Sequence, residues 1–156
     1  MAENNASTPQ AKVISKPFIG NATSVQAISH SKLNDKFKQK FQVLSFQPKI
    51  GDTSSLTYNT STEFERVIGI TIDSDNRTAL NKSTISMNID SNEIFPKDFD
   101  TALISRKDNV GFYDNMYMVN ERANNSTVKI DYTDNMPSST QPYNVKVYLW
   151  CTMIKN

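Results

Sequence analysis

Cysteine, histidine and glycine are all scarce in this chain of 156 residues, and each scarcity excludes a kind of chemistry. Cys151 is the only cysteine, so no disulfide can form within one chain and no cysteine-based zinc site can be assembled. Stability must come from packing, and a lone Cys among apolar neighbours reads as a small core side chain rather than a nucleophile. His30 is the only histidine and falls in or near a polar N-terminal segment, which leaves Ser-His-Asp catalysis and His-based metal sites without parts. The four glycines form no phosphate-cradling loop, and they are few for a chain with many turns, so Asn and Asp must serve many of those turns. No stretch approaches the roughly 18 apolar residues of a membrane span. The first residues, MAENNASTPQAKVISK, lack the apolar run of a signal peptide. A protein made in a cytoplasm, without a membrane segment, is expected.

Polar, weakly charged residues take the place of what is missing. Charged residues are 21% and hydrophobic residues 37%, while Asn, Ser and Thr are over-used. The sequons at Asn5, Asn21, Asn59, Asn76, Asn81, Asn124 and Asn125 follow from that richness and are not read as glycans. The formal net charge of +1 conceals an asymmetry. Residues 1–50 carry seven lysines against Glu3 and Asp35, and the remainder carries ten basic and fourteen acidic residues. A basic arm on an acidic body suits contact with a neighbouring copy, and non-specific contact with nucleic acid or an anionic membrane. Lys-rich residues 32–40, KLNDKFKQK, interleave Phe37 with cations but match no RNA-binding motif.

Periodicity divides the chain into a basic, polar arm over residues 1–38 and a β-sandwich domain over 39–156. Leu33, Phe37, Phe41 and Leu44 fall at helical spacing and predict a short helix near residues 31–40, although KFQVLSFQ reads equally well as a first strand. Beyond it, apolar residues alternate. Ile68, Ile70 and Ile72 are placed on one face, with Val67, Gly69 and Thr71 opposite; Ile85, Met87 and Ile89 form a second strand, and Val128, Ile130 and Tyr132 a third. The last strand sets Val145, Val147, Leu149, Cys151 and Met153 against Lys146, Tyr148, Trp150 and Thr152, apolar enough on both sides to be central. Residues 56–59, 102–105 and 111–119 are further strand candidates. Roughly eight short strands with hardly any helix predict an all-β fold, an antiparallel, jelly-roll-like β-sandwich with an extended N-terminal arm.

One stretch invites a metal reading. DSDNRTALNKST, residues 73–84, opens like a calcium loop, but Arg77 stands at the fifth position, Thr78 where Gly is needed, and Thr84 where the bidentate Glu belongs. It is read as a polar connection between strands, with Asp73, Asp75 and Asn76 as turn formers; a looser cation site would draw on Asp90 or Asp98. Glu63 with Glu65, and Asp98 with Asp100, are spaced as on ordinary solvated strands and turns, so no acid–base pair is assigned and no enzyme is expected. No catalytic, cofactor or metal residue and no specific small-molecule ligand is predicted. Phe112, Tyr113, Tyr117, Tyr132, Tyr143, Tyr148 and Trp150 are mostly core by expectation, with Tyr148 and Trp150 the pair to examine for exposure.

The runs FERVIGITI (64–72), STISMNIDSNEIFPKDFDTALI (83–104), STVKIDYTD (126–134) and YNVKVYLWC (143–151) together resemble small β-rich virion proteins of bacteriophages that infect Bacteroidetes-type hosts. The resemblance lies in strand order and in the NEIFPKDFD connection, over roughly residues 64–151. It implies a structural role in the virion, as a penton, minor capsid, decoration or spike-base subunit, with a jelly-roll body and an arm that engages neighbouring copies and other capsid proteins. It carries over no site residue. A carbohydrate- or receptor-binding module using exposed aromatics is the alternative.

Overall fold

The computed structural model describes residues 37–154. The N-terminal arm through residue 36, with His30 in it, lies outside the described residues. Eight strands run in the order β1 (Phe37–Phe46), β2 (Thr53–Asn59), β3 (Arg66–Ser74), β4 (Thr84–Ile89), β5 (Asn92–Asp100), β6 (Tyr117–Arg122), β7 (Thr127–Thr133) and β8 (Val145–Ile154), with a single helical turn, α1 (Arg77–Leu80), between β3 and β4. They form two antiparallel four-stranded sheets, ordered β1-β8-β3-β6 and β2-β7-β4-β5. Pairs 1–8 and 3–6 lie in one sheet and pairs 2–7 and 4–5 in the other, the path of one long antiparallel hairpin wound into a two-layer jelly roll.

The core fills the space between the sheets. Leu44, Phe46, Val67, Ile70, Ile72, Val147 and Leu149 from the first sheet meet Ile85, Met87, Ile89, Phe95, Val128, Ile130 and Tyr132 from the second. Each such side chain removed from water contributes about 1.5–3 kcal/mol before the entropy of ordering is subtracted. One edge of the sandwich is closed by side chains: the Gln42 amide donates to the Asn59 carbonyl (2.9 Å) and accepts from the Ser61 amide (3.2 Å), and the Tyr58 hydroxyl donates to the Ser45 carbonyl (3.2 Å). At one end a buried carboxylate, Asp134, accepts from the Tyr143 hydroxyl (2.8 Å) and the Gly51 amide (2.8 Å), which satisfies a charge that would otherwise be costly to bury. Burial and the hydroxyl contact to Tyr132 push the Tyr143 phenol well above its ordinary value.

Several local expectations are corrected. The helix near 31–40 gives way to strand from Phe37 on, because β1 pairs with β8 over its whole length, from Phe37 opposite Ile154 to Phe46 opposite Val145. A helix would put Phe41 and Leu44 on one side; the strand sends Leu44 into the core and Phe41 to the opposite face. In β3 the inward side chains are Val67, Ile70 and Ile72, not Ile68, Ile70 and Ile72, since a bulge between Val67 and Gly69 changes the alternation. Residues 92–100 are strand β5 and not a connection. Pro96 is tolerated because β5 lies at a sheet edge, where an amide can be dispensed with. Residues 102–105 are not a strand but largely a 3-10 turn, Thr101–Leu103, capped by Asp100, and β6 begins only at Tyr117, after a second 3-10 turn, Tyr113–Asn115. Asp90, Asp98 and Asn125 adopt positive φ, so Asp and Asn do take conformations usually left to glycine.

Candidate interaction face

The outward side of the β1-β8-β3-β6 sheet is aromatic, and strand register puts the rings together. Trp150 on β8 stands opposite Phe41 on β1 and Gly69 on β3, and Tyr148 stands opposite Val43 and Thr71. The segment joining β5 to β6 folds back over this row. The Ile104 carbonyl accepts from the Thr71 hydroxyl (2.9 Å) and the Ile72 amide (3.1 Å), and the Ile72 carbonyl accepts from the Arg106 amide (3.0 Å). Asn115 closes the loop internally, accepting from the Lys107 amide and donating to the carbonyls of Val110 and Gly111.

Phe112 and Tyr113 are thereby laid on the sheet. The Tyr113 ring centroid lies 4.9 Å from that of Trp150, Phe112 meets Phe41 edge-on at 5.1 Å, and Phe41 stacks over Trp150 at 6.4 Å. The Arg106 guanidinium sits 5.7 Å from the Phe112 centroid, a cation held against a ring face. Gly69 makes the close approach possible: a Cβ there would fall 3.1 Å from both Met116 Cβ and Trp150 Cε3. Ion pairs fix the far side of the loop, with Arg77 on α1 contacting Asp108 (2.7 Å) and Asp73 held between Arg77 (3.9 Å) and Arg106 (3.8 Å).

The packing leaves a partly covered patch. Of the pair Tyr148 and Trp150, Trp150 is only 2% exposed and Tyr148 is half-buried. Phe41 (37%), Val43 (44%) and Tyr113 (49%) instead present apolar surface to solvent. Tyr132 and Tyr143 belong to the interior, and Tyr117 packs on Phe95 and Phe99 at the β5–β6 edge. Sequence reasoning missed Phe41 as part of this face because it was counted toward a helix; the strand reading KFQVLSFQ, with Phe41 and Val43 two apart, held the signal.

Several of the other candidates have structural partners. Residues 73–84 are the β3–β4 connection: Asp75 accepts from the Asn144 amide and side chain, which lowers its carboxyl below the ordinary range, and Asn76 caps α1. Asp90 accepts from the Thr127 amide, and Glu63 pairs with Lys40 at 3.1 Å. Among the described residues no group of three or more His, Cys, Asp or Glu side chains could hold a metal ion. Cys151 is fully buried, and desolvation pushes its thiol up to about 12. Among the described residues no helix is long and apolar enough to cross a membrane. Compared with known protein families, curated proteins and solved structures, the chain matches none.

Proposed function

We propose that the chain is a structural subunit of a bacteriophage particle, of the penton, minor capsid, decoration or spike-base kind, assembling through the outward face of the β1-β8-β3-β6 sheet and its basic N-terminal arm. The observation that carries this reading is a jelly roll with a partly exposed apolar patch, Phe41, Val43 and Tyr113, on the outward side of one sheet. Such patches suit an interface core, where aromatic residues are enriched and charged ones depleted. The arm enters β1, the strand that bears Phe41 and Val43, so arm and patch are adjacent in the chain. Light scattering on the intact chain and on one lacking residues 1–30 tests the reading. A discrete oligomer that requires the arm supports it; a monomer in both cases overturns it.

The alternative is a glycan- or receptor-binding module, favoured by the half-exposed Tyr113 ring beside Phe41, a surface on which a sugar ring could stack. It predicts glycan binding that falls when Tyr113 or Phe41 becomes Ala.

A further inference from the structure

A second site lies at the end of the sandwich where β1 and β3 begin and β6 and β8 end. There a cleft of about 740 Å³ is lined by Lys38, Glu63, Glu65, Arg66, Arg122 and Asn124, among others; Glu63 is paired with Lys40. Arg66 and Arg122 occupy directly opposite positions on the adjacent strands β3 and β6. Like charges so placed destabilise a sheet unless something lies between or beside them. Arg66 is steadied by one guanidinium nitrogen, which donates to the Asn120 carbonyl (3.0 Å) and side-chain oxygen (2.8 Å). Among the described residues neither Arg122 nor Lys38 has an anionic partner within salt-bridge distance.

Glu65 adds an opposite feature. Its backbone is fixed, the amide donating to the Thr152 carbonyl (2.7 Å) and the carbonyl accepting from the Ala123 amide (3.0 Å). Its Oε2 atom is buried from solvent with no hydrogen-bond partner among the described residues. A buried acceptor left unmade is costly, and a turn of the Glu65 side chain toward the cleft would let a ligand's donor satisfy it.

We propose that this cleft binds a small polyhydroxylated acid, whose oxyanion bridges Arg66 and Arg122 while a neighbouring hydroxyl donates to Glu65. Carboxylate and phosphate each present a pair of oxygens that a guanidinium fork engages bidentately. The oxyanion can therefore come from a uronic acid or from a sugar phosphate. The site is independent of the aromatic face, so its failure and that of the assembly reading are distinguishable.

Calorimetric titration of the full chain with glucuronate, glucose 6-phosphate, glucose and inorganic phosphate at physiological salt tests the proposal. Glucuronate, glucose 6-phosphate or both should bind at least about tenfold more tightly than glucose, and which of them does identifies the source of the oxyanion. Arg122→Gln, an exposed substitution not expected to disturb folding, should abolish that preference. Glu65→Gln, which replaces a charged acceptor by a weaker neutral one and removes a negative charge from the cleft, should narrow the preference for the sugar acid over inorganic phosphate, whose own binding should not fall. Equal binding of glucose and the acids, no binding by either acid, or an unchanged preference in a folded Arg122→Gln protein overturns it.

Discussion

The two outward faces of the sandwich differ although both are built on central antiparallel strands. On the β2-β7-β4-β5 sheet the outward positions are Thr53, Ser55, Thr57, Thr84, Ser86, Asn88, Lys129, Asp131 and Thr133, all exposed or half-exposed, with Thr53 and Thr133 joined across strands at 2.9 Å. On the β1-β8-β3-β6 sheet the corresponding positions include Phe41, Val43, Thr71, Tyr148, Trp150 and Thr152, and three of these are buried. One face is a solvated surface and the other is a second, smaller apolar layer with its own loop cover. An antiparallel sheet commonly buries one face and leaves the other in water, so the second sheet keeps that pattern and the first departs from it.

The largest effect should come from removing the centre of that layer. Trp150→Ala should lose about 3–5 kcal/mol in chemical denaturation, because a fully packed ring leaves a cavity between Phe41, Tyr113 and Gly69. Ser86→Ala, on the opposite sheet, should stay within about 0.5 kcal/mol. Equal losses at the two positions would erase the distinction between the faces.

Alkaline pH probes the interior between the two sheets. Desolvation raises Tyr132 and Tyr143 above 10.0 and Cys151 from 9.0 to about 12 in the folded chain. The unfolded chain therefore releases these protons first. Their contribution is fully present below about pH 9 and is lost as pH rises through the folded values, at up to about 1.4 kcal/mol per pH unit for each group. Unfolding free energies measured from pH 8 to 11 should fall progressively, and Cys151→Ala should remove the part that begins near pH 9. A flat profile would contradict the burial of these groups.

Gly69→Ala should cost about 1–3 kcal/mol, since the added methyl meets Met116 and Trp150 at contact distances that neither can easily relieve. The same change should loosen the β5–β6 segment, so trypsin should cut after Arg106 or Lys107 faster than in the parent chain. Unchanged cleavage would mean that the loop is held by its ion pairs and not by its seat on the rings.

Much of the sandwich was legible because strands with one buried face write themselves as alternation: Ile85-Met87-Ile89, Val128-Ile130-Tyr132 and Val145 to Cys151 all point inward as their spacing predicts. The aromatic face was hard to read for a physical reason. Its residues come from β1, β3, β8 and the loop at 106–116, and only strand register and a bulge decide that Phe41, Gly69 and Trp150 stand in line. A bulge leaves no mark in the apolar pattern except a wrong phase, as at Ile68. Strand β5 was hidden by Pro96 and by charged residues that are unremarkable on an edge. The loop that buries Trp150 is held by Asn115 and by backbone contacts, which composition does not announce.

The smallest effect on stability should be the most informative for function. Val43 is half-exposed at the rim of the aromatic layer, so Val43→Asp should change stability by no more than about 0.5–1 kcal/mol. If the patch is the centre of an interface, a buried unpaired carboxylate there should shift the oligomer measured by light scattering to monomer, because desolvating that charge costs several kcal/mol. Thr57→Asp on the β2-β7-β4-β5 sheet should change neither stability nor mass. Loss of assembly in both variants would show that added negative charge, and not the particular face, disrupts association; loss only at Val43 would assign assembly to the aromatic side.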